Sequence, residues 1–158
     1  MKRGGFTLIE ALMAVVLVGL AIAALVGANI AFTSANGLGA ELSTAEFLIE
    51  QIRELTATLP VIDPQTEIAV FGPEEAGSSS YDDIDDFNGA SFCPPIARDR
   101  STLNDLAAYR QSIQVENVSS TNFEQVVTDH GSSFVRVRVS ILLGAKEVSS
   151  TQWIRARY

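Results

Sequence analysis

Residues 11–32 read ALMAVVLVGLAIAALVGANIAF, and this stretch decides the fold. It holds 22 residues with Asn29 as its one amide, and no charged residue occurs from Ala11 to Ala40. As a helix, with a rise of ~1.5 Å per residue, it spans roughly 33 Å, enough to cross the hydrocarbon core of a bilayer. A helix buried in a soluble core would normally keep a polar stripe, and none is present. A cleaved secretory signal is the other alternative, with Lys2 and Arg3 as its basic start. Its apolar region is usually only ~7–15 residues long, and it gains nothing from the carboxylate of Glu10 at the front edge of the run. A carboxylate costs about 2.5–3.5 kcal/mol at the bilayer centre and less near the interface, so Glu10 reads as functional.

The apolar run explains an imbalance in the whole chain. The 158 residues are 47% hydrophobic, with a mean hydropathy of +0.21, yet carry a net charge of −8. That length suits one ordinary domain. With 11 basic against 19 acidic residues, no basic surface for nucleic acid exists, so direct nucleic-acid binding is not expected. One cysteine, Cys93, and one histidine, His130, exclude an intramolecular disulfide and a Cys/His-rich zinc site. A lone Cys and a lone His without a local signature do not make a nucleophile–base pair, so the chain is read as a non-enzyme.

The first ten residues, MKRGGFTLIE, resemble the N-terminus of type IV prepilins and type II secretion pseudopilins: a short basic leader ending in Gly, then Phe-Thr-Leu-Ile-Glu, then a hydrophobic helix. The resemblance covers residues 1 to 60. It implies cleavage after Gly5 by prepilin peptidase and N-methylation of Phe6 as the new N-terminus. Loss of Lys2 and Arg3 would leave 9 basic and 19 acidic residues, a net charge of −10. It also implies that Glu10 pairs with the freed amine during assembly, each charge offsetting the other's desolvation. The basic leader places the N-terminus in the cytoplasm and the head in the periplasm, across the inner membrane. Where major pilins commonly carry Pro in the membrane half, this chain has Gly27, and Cys93 lacks a partner for a C-terminal disulfide. Both departures point to a minor subunit. Gly19 and Gly27 would let neighbouring helices approach closely.

Beyond Phe32 the pattern becomes amphipathic. Leu38, Leu42, Ala45, Ile49, Ile52 and Leu59 recur at helical spacing, widened by Leu48 and Leu55, with Glu50 and Arg53 one turn apart on the polar side. The expectation is one helix from about Phe6 to Thr58, stopped before Pro60 and weakest at Gly37 and Gly39. From Pro60 the composition turns to β. Thr66–Phe71, Arg110–Val118, Ser133–Leu143 and Glu147–Arg157 are strand candidates, the last two forming a hairpin across Gly144. In the third, Val135, Val137, Val139 and Ile141 alternate with Arg136, Arg138 and Ser140, and the basic residues are expected in solvent, with an acidic neighbour as the alternative. The fold class is therefore α+β: a long N-terminal helix packed on a small antiparallel sheet. The segments are a leader at 1–5, a membrane or filament-core helix at 6–32, an amphipathic helix at 33–59 and a β-rich head at 60–158.

Residues 72–101 form an acidic loop between strands. Glu74, Glu75, Asp82, Asp83, Asp85 and Asp86 occur there without an intervening base. Tyr81 to Phe87 resembles an Asp-Asp-aliphatic-Asp-Asp-aromatic segment of some minor prepilins, including those of mannose-sensitive haemagglutinin pili. The residues read as a solvated loop anchored by Tyr81, Ile84 and Phe87. The alternative is a Ca²⁺ site drawn from Asp82, Asp83, Asp85, Asp86 and Asn88. An EF-hand loop does not fit, because Ile84 stands where an oxygen ligand is required. The resulting expectation is a structural subunit, a minor pilin or pseudopilin, with prepilin peptidase and other pilins as partners and no cofactor other than possible Ca²⁺. The alternative function is a signal-anchored periplasmic binding module whose acidic loop holds a metal or a partner.

Overall fold

The computed structural model describes residues 5, 7–61, 63, 71–73, 75 and 77–157. The chain is α+β: one long helix and one four-stranded antiparallel sheet. Two compact units divide it, Met1–Ala40 and Glu41–Tyr158. The helix, α1, runs Leu8–Ala57 without a break at Gly37 or Gly39. Each glycine costs only about 1 kcal/mol relative to alanine, and long helical flanks absorb that cost. None of the apolar span in α1 is buried, as a helix apolar on all sides requires if its solvent is lipid or other helices.

In the second unit, α1 buries Ala45, Leu48, Ile49, Ile52, Leu55 and Thr56, a row at helical spacing. Leu38 and Leu42, expected on this row, are exposed instead. Both keep the period but precede Ala45, where the buried row begins. The Glu50–Arg53 pair forms at 3.2 Å, and Arg53 also lies 5.0 Å over the Trp153 ring.

The strands are β1 (Ser91–Phe92), β2 (Tyr109–Asn117), β3 (Phe134–Leu143) and β4 (Lys146–Ala156), ordered β1-β2-β3-β4. β2 and β3 pair Gln111 with Ile141, Ile113 with Val139 and Val115 with Val137, so one face carries a continuous buried row. Gly144, with φ of 61°, supplies the left-handed conformation that the first central residue of a two-residue hairpin turn needs. The strand candidate Thr66–Phe71 falls outside the described residues except for Phe71.

Two arginines depart from the expectation of solvent, and Arg136 takes the alternative of an acidic neighbour. Arg136 is buried on the outer face of β3, 2.6 Å from Glu116 and 3.5 Å from Glu124, with Nη1 donating to the Phe123 carbonyl. Residues 119–132 fold back along that face, and Phe123 packs on Phe134 at 5.3 Å. Arg155, on β4, donates to the Thr56 carbonyl at 2.8 Å and the Leu59 carbonyl at 3.3 Å. The last turn of α1 has no basic residue of its own, and its free carbonyls carry the negative end of the helix dipole. Arg155 supplies that cation from the sheet. Arg155→Ala should cost about 1–2 kcal/mol, read as a lowered thermal midpoint, and Arg155→Lys should recover part of it.

Candidate functional site

The N-terminal motif enters α1 through a capped turn. The Glu10 N–H donates to Thr7 Oγ1 at 3.3 Å and to the Thr7 carbonyl at 3.1 Å. Thr7 therefore caps the helix, with Glu10 three residues on, the spacing of a capping box. This places an acid in the first turn, where the helix dipole favours negative charge. Glu10 is exposed, as is Gly5, and a Cβ added at Gly5 would meet nothing within 4 Å. Phe6 lies outside the described residues. The Thr-x-x-Glu signature was present in the sequence, and the cap is a role that the reading of Glu10 as a membrane acid left out.

The acidic segment is not solvated. A 3₁₀ turn over Asp85–Phe87 sets Ile84 and Phe87 three residues apart, and both are fully buried in the core. Tyr81 and Phe92 meet the Phe87 ring edge-on at 5.0 and 6.5 Å. The acids between these anchors are drawn inside with them: Asp83, Asp85 and Asp86 are at most 1% exposed. The segment is also tied to the sheet. Gly89 N–H donates to the Ile113 carbonyl, Ile113 N–H to the Ala90 carbonyl, and Val115 N–H to Asn88 Oδ1 at 3.1 Å. Asn88 thus serves as an acceptor for β2.

The four aspartates divide into roles. Asp83 Oδ1 accepts the Asp86 N–H at 3.0 Å, and Asp86 Oδ2 accepts the N–H groups of Asp82 at 2.9 Å and Asp83 at 3.3 Å. This reciprocal arrangement holds the turn and fixes the Asp86 carboxylate. Asp83 then faces Asp85. Burial, followed by the Asp85 carboxyl beside it, pushes Asp83 up to about 8. Glu75, which was not among the sequence candidates, joins Asp82 and Asp86: one carboxylate oxygen from each lies within 4.8 Å of the others. Glu75 is pushed up to about 7, chiefly by a hydrogen bond shared with the Asp86 carboxyl, then by desolvation and the charges of Asp86 and Asp82. The nearby Arg100 does not neutralise this cluster by bonding to it. Its guanidinium donates to the carbonyls of Ser78, Ser79 and Tyr81.

The remaining sequence candidates are structural in their contacts. Cys93 is exposed, with Sγ 3.8 Å from the Ala107 carbonyl. The His130 ring packs edge-on against Phe71 at 5.7 Å, and the His130 main-chain N–H donates to Asn117 Oδ1.

Residues 1–26 match the family model described as the prokaryotic N-terminal methylation motif, the signature carried by prepilins. No curated protein and no solved structure matches the chain.

Proposed function

We propose that this chain is a structural subunit, a minor pilin or pseudopilin, made as a prepilin and assembled into a type IV pilus or a type II secretion pseudopilus. The observation that carries the reading is the methylation motif at residues 1–26, leading into a helix whose apolar span is exposed on every side. Prepilin peptidase cleaves after Gly5, and Phe6 becomes the methylated N-terminus. The chain first sits in the inner membrane with its head in the periplasm, then leaves it by packing its helix against those of other pilins. Glu10, at the cytoplasmic edge of the apolar run, meets the new amine. The chain performs no chemistry of its own.

Mass spectrometry of the N-terminus, on protein expressed with a prepilin peptidase, tests this. The expected product begins at N-methylated Phe6. An intact Met1, or a cut beyond Ala31, would instead favour the signal-anchored binding module.

A further inference from the structure

We propose that the outer edge of β4 takes up an extended, basic segment of a partner protein as a further strand of the sheet. β4 closes the sheet on one side, and among the described residues it pairs with β3 alone. Its other side presents main-chain N–H and C=O groups with no strand beside them. The opposite margin, β1, is only two residues long and gives a partner little to pair with. Edge strands are normally guarded by proline, lysine, a bulge or an overlying element. β4 has such guards only at its start. Lys146 lies 3.6 Å from Glu41, and the register slips between Ile141 and Leu142, which leaves Val148 opposite no residue of β3. From Ser149 to Trp153 the strand reads Ser-Ser-Thr-Gln-Trp, without a charge or a proline.

The second observation is a groove on each side of that stretch. Side chains alternate across a strand, so an added strand sends every second side chain to each face. On the α1 side, a groove of ≈ 360 Å³ is lined by Glu46, Ile49 and Glu50 of the helix and by Ser149 and Thr151 of β4. On the outer side, a groove of ≈ 260 Å³ is lined by Arg138, Glu147 and Gln152. Both grooves reach Ser150 and Thr151, in the unguarded part of the edge. Charge then selects the occupant. In the α1-side groove, Glu50 is held by Arg53 at 3.2 Å, and Arg53 also lies over the Trp153 ring. Glu46 is exposed and has no ion-pair partner among the described residues. A lysine or arginine pointing into this groove would meet that carboxylate. A second copy fits poorly. Antiparallel pairing of β4 with β4 would set two α1-side grooves, each with its Glu46, against one another, and each chain carries a net charge of −8. Main-chain bonds thus supply the attachment and the two grooves the selectivity.

The test is hydrogen–deuterium exchange of the full chain in detergent micelles, with and without the synthetic peptide Thr-Lys-Thr-Val-Thr-Lys-Thr, which sets both lysines on one face. Trp153, the one tryptophan of the chain, follows binding by its fluorescence. The peptide should slow exchange at least 10-fold at outward amides within Ser149–Trp153. The same peptide with glutamate in place of lysine should bind at least 10-fold more weakly. The lysine peptide with every amide N-methylated, which cannot extend the sheet, should not bind. Glu46→Lys should weaken the lysine peptide at least 10-fold and keep the wild-type thermal midpoint, because Glu46 is exposed on α1. No protection at millimolar peptide would overturn the proposal, as would equal affinity for the lysine and glutamate peptides or protection confined to residues outside β4. Slow exchange of β4 without peptide, together with a dimer in analytical ultracentrifugation, would assign the edge to a second copy and overturn it as well. None of these readouts needs a filament, so their failure leaves the subunit reading untouched.

Discussion

Glu10→Ala is expected to leave the chain in the membrane but to cut its recovery in filaments by an order of magnitude or more. Two energies of different size separate these outcomes. Removing a carboxylate from the edge of an apolar run can only ease insertion. In a filament, the proposed partner of Glu10 is the amine of Phe6 on a processed subunit. Deleting one member of a desolvated pair strands the other, at a cost of about 3–5 kcal/mol. The lost capping-box position adds a few tenths of a kcal/mol and cannot account for a change of that size. Membrane fractionation and quantitative immunoblotting of sheared filaments measure the two quantities side by side. Glu10→Gln isolates the charge, because it keeps length and hydrogen bonding. If Glu10→Ala co-assembles normally, the amine pairing is wrong.

Gln111→Leu should lower the stability of the Glu41–Tyr158 unit by about 3 kcal/mol, or roughly 10 °C in thermal midpoint. Gln111 is fully buried on β2 at the centre of the core. Oε1 accepts the Ile96 N–H at 2.8 Å, and Nε2 donates to the carbonyls of Ile96 at 3.1 Å and Leu48 at 3.0 Å. One amide thereby joins the helix, the sheet and the loop that precedes β2. Leucine has a similar volume but leaves the Ile96 N–H and carbonyl buried without those partners. Gln114→Leu provides the comparison. It lies on the exposed face of the same strand and should change stability by no more than about 0.5 kcal/mol. Near-UV circular dichroism during heating reports both variants.

How much of this was legible depends on whether the deciding contact is local. The membrane-length run and the alternation of Val135, Val137, Val139 and Ile141 are local patterns, and the helix and β3 follow from them. Gly144 marks its turn for the same reason. The burial of Arg136 depends on residues 119–132 folding back over the sheet, and nothing around Arg136 signals that. Arg155 is also unmarked, because its partners are carbonyls at the far end of the chain. The acidic loop is intermediate. Tyr81, Ile84 and Phe87 are legible as anchors, but anchors three residues apart draw Asp83, Asp85 and Asp86 between them out of water. Glu75 gives no signal, since it stands seven positions from Asp82 and its approach is tertiary.

The bond from Arg155 to Thr56 spans 99 positions of sequence. During synthesis, α1 is complete long before the guanidinium that closes its final turn exists. β3 and β4 pair mainly with near neighbours, but the helix end waits for the last strand. Contacts this distant in sequence slow folding, because a long loop must close before they form. A nascent chain interrupted before β4 would hold an open helix terminus and an uncovered β3 edge together. Synthesis of β4 is thus the step that lets this head reach its native form.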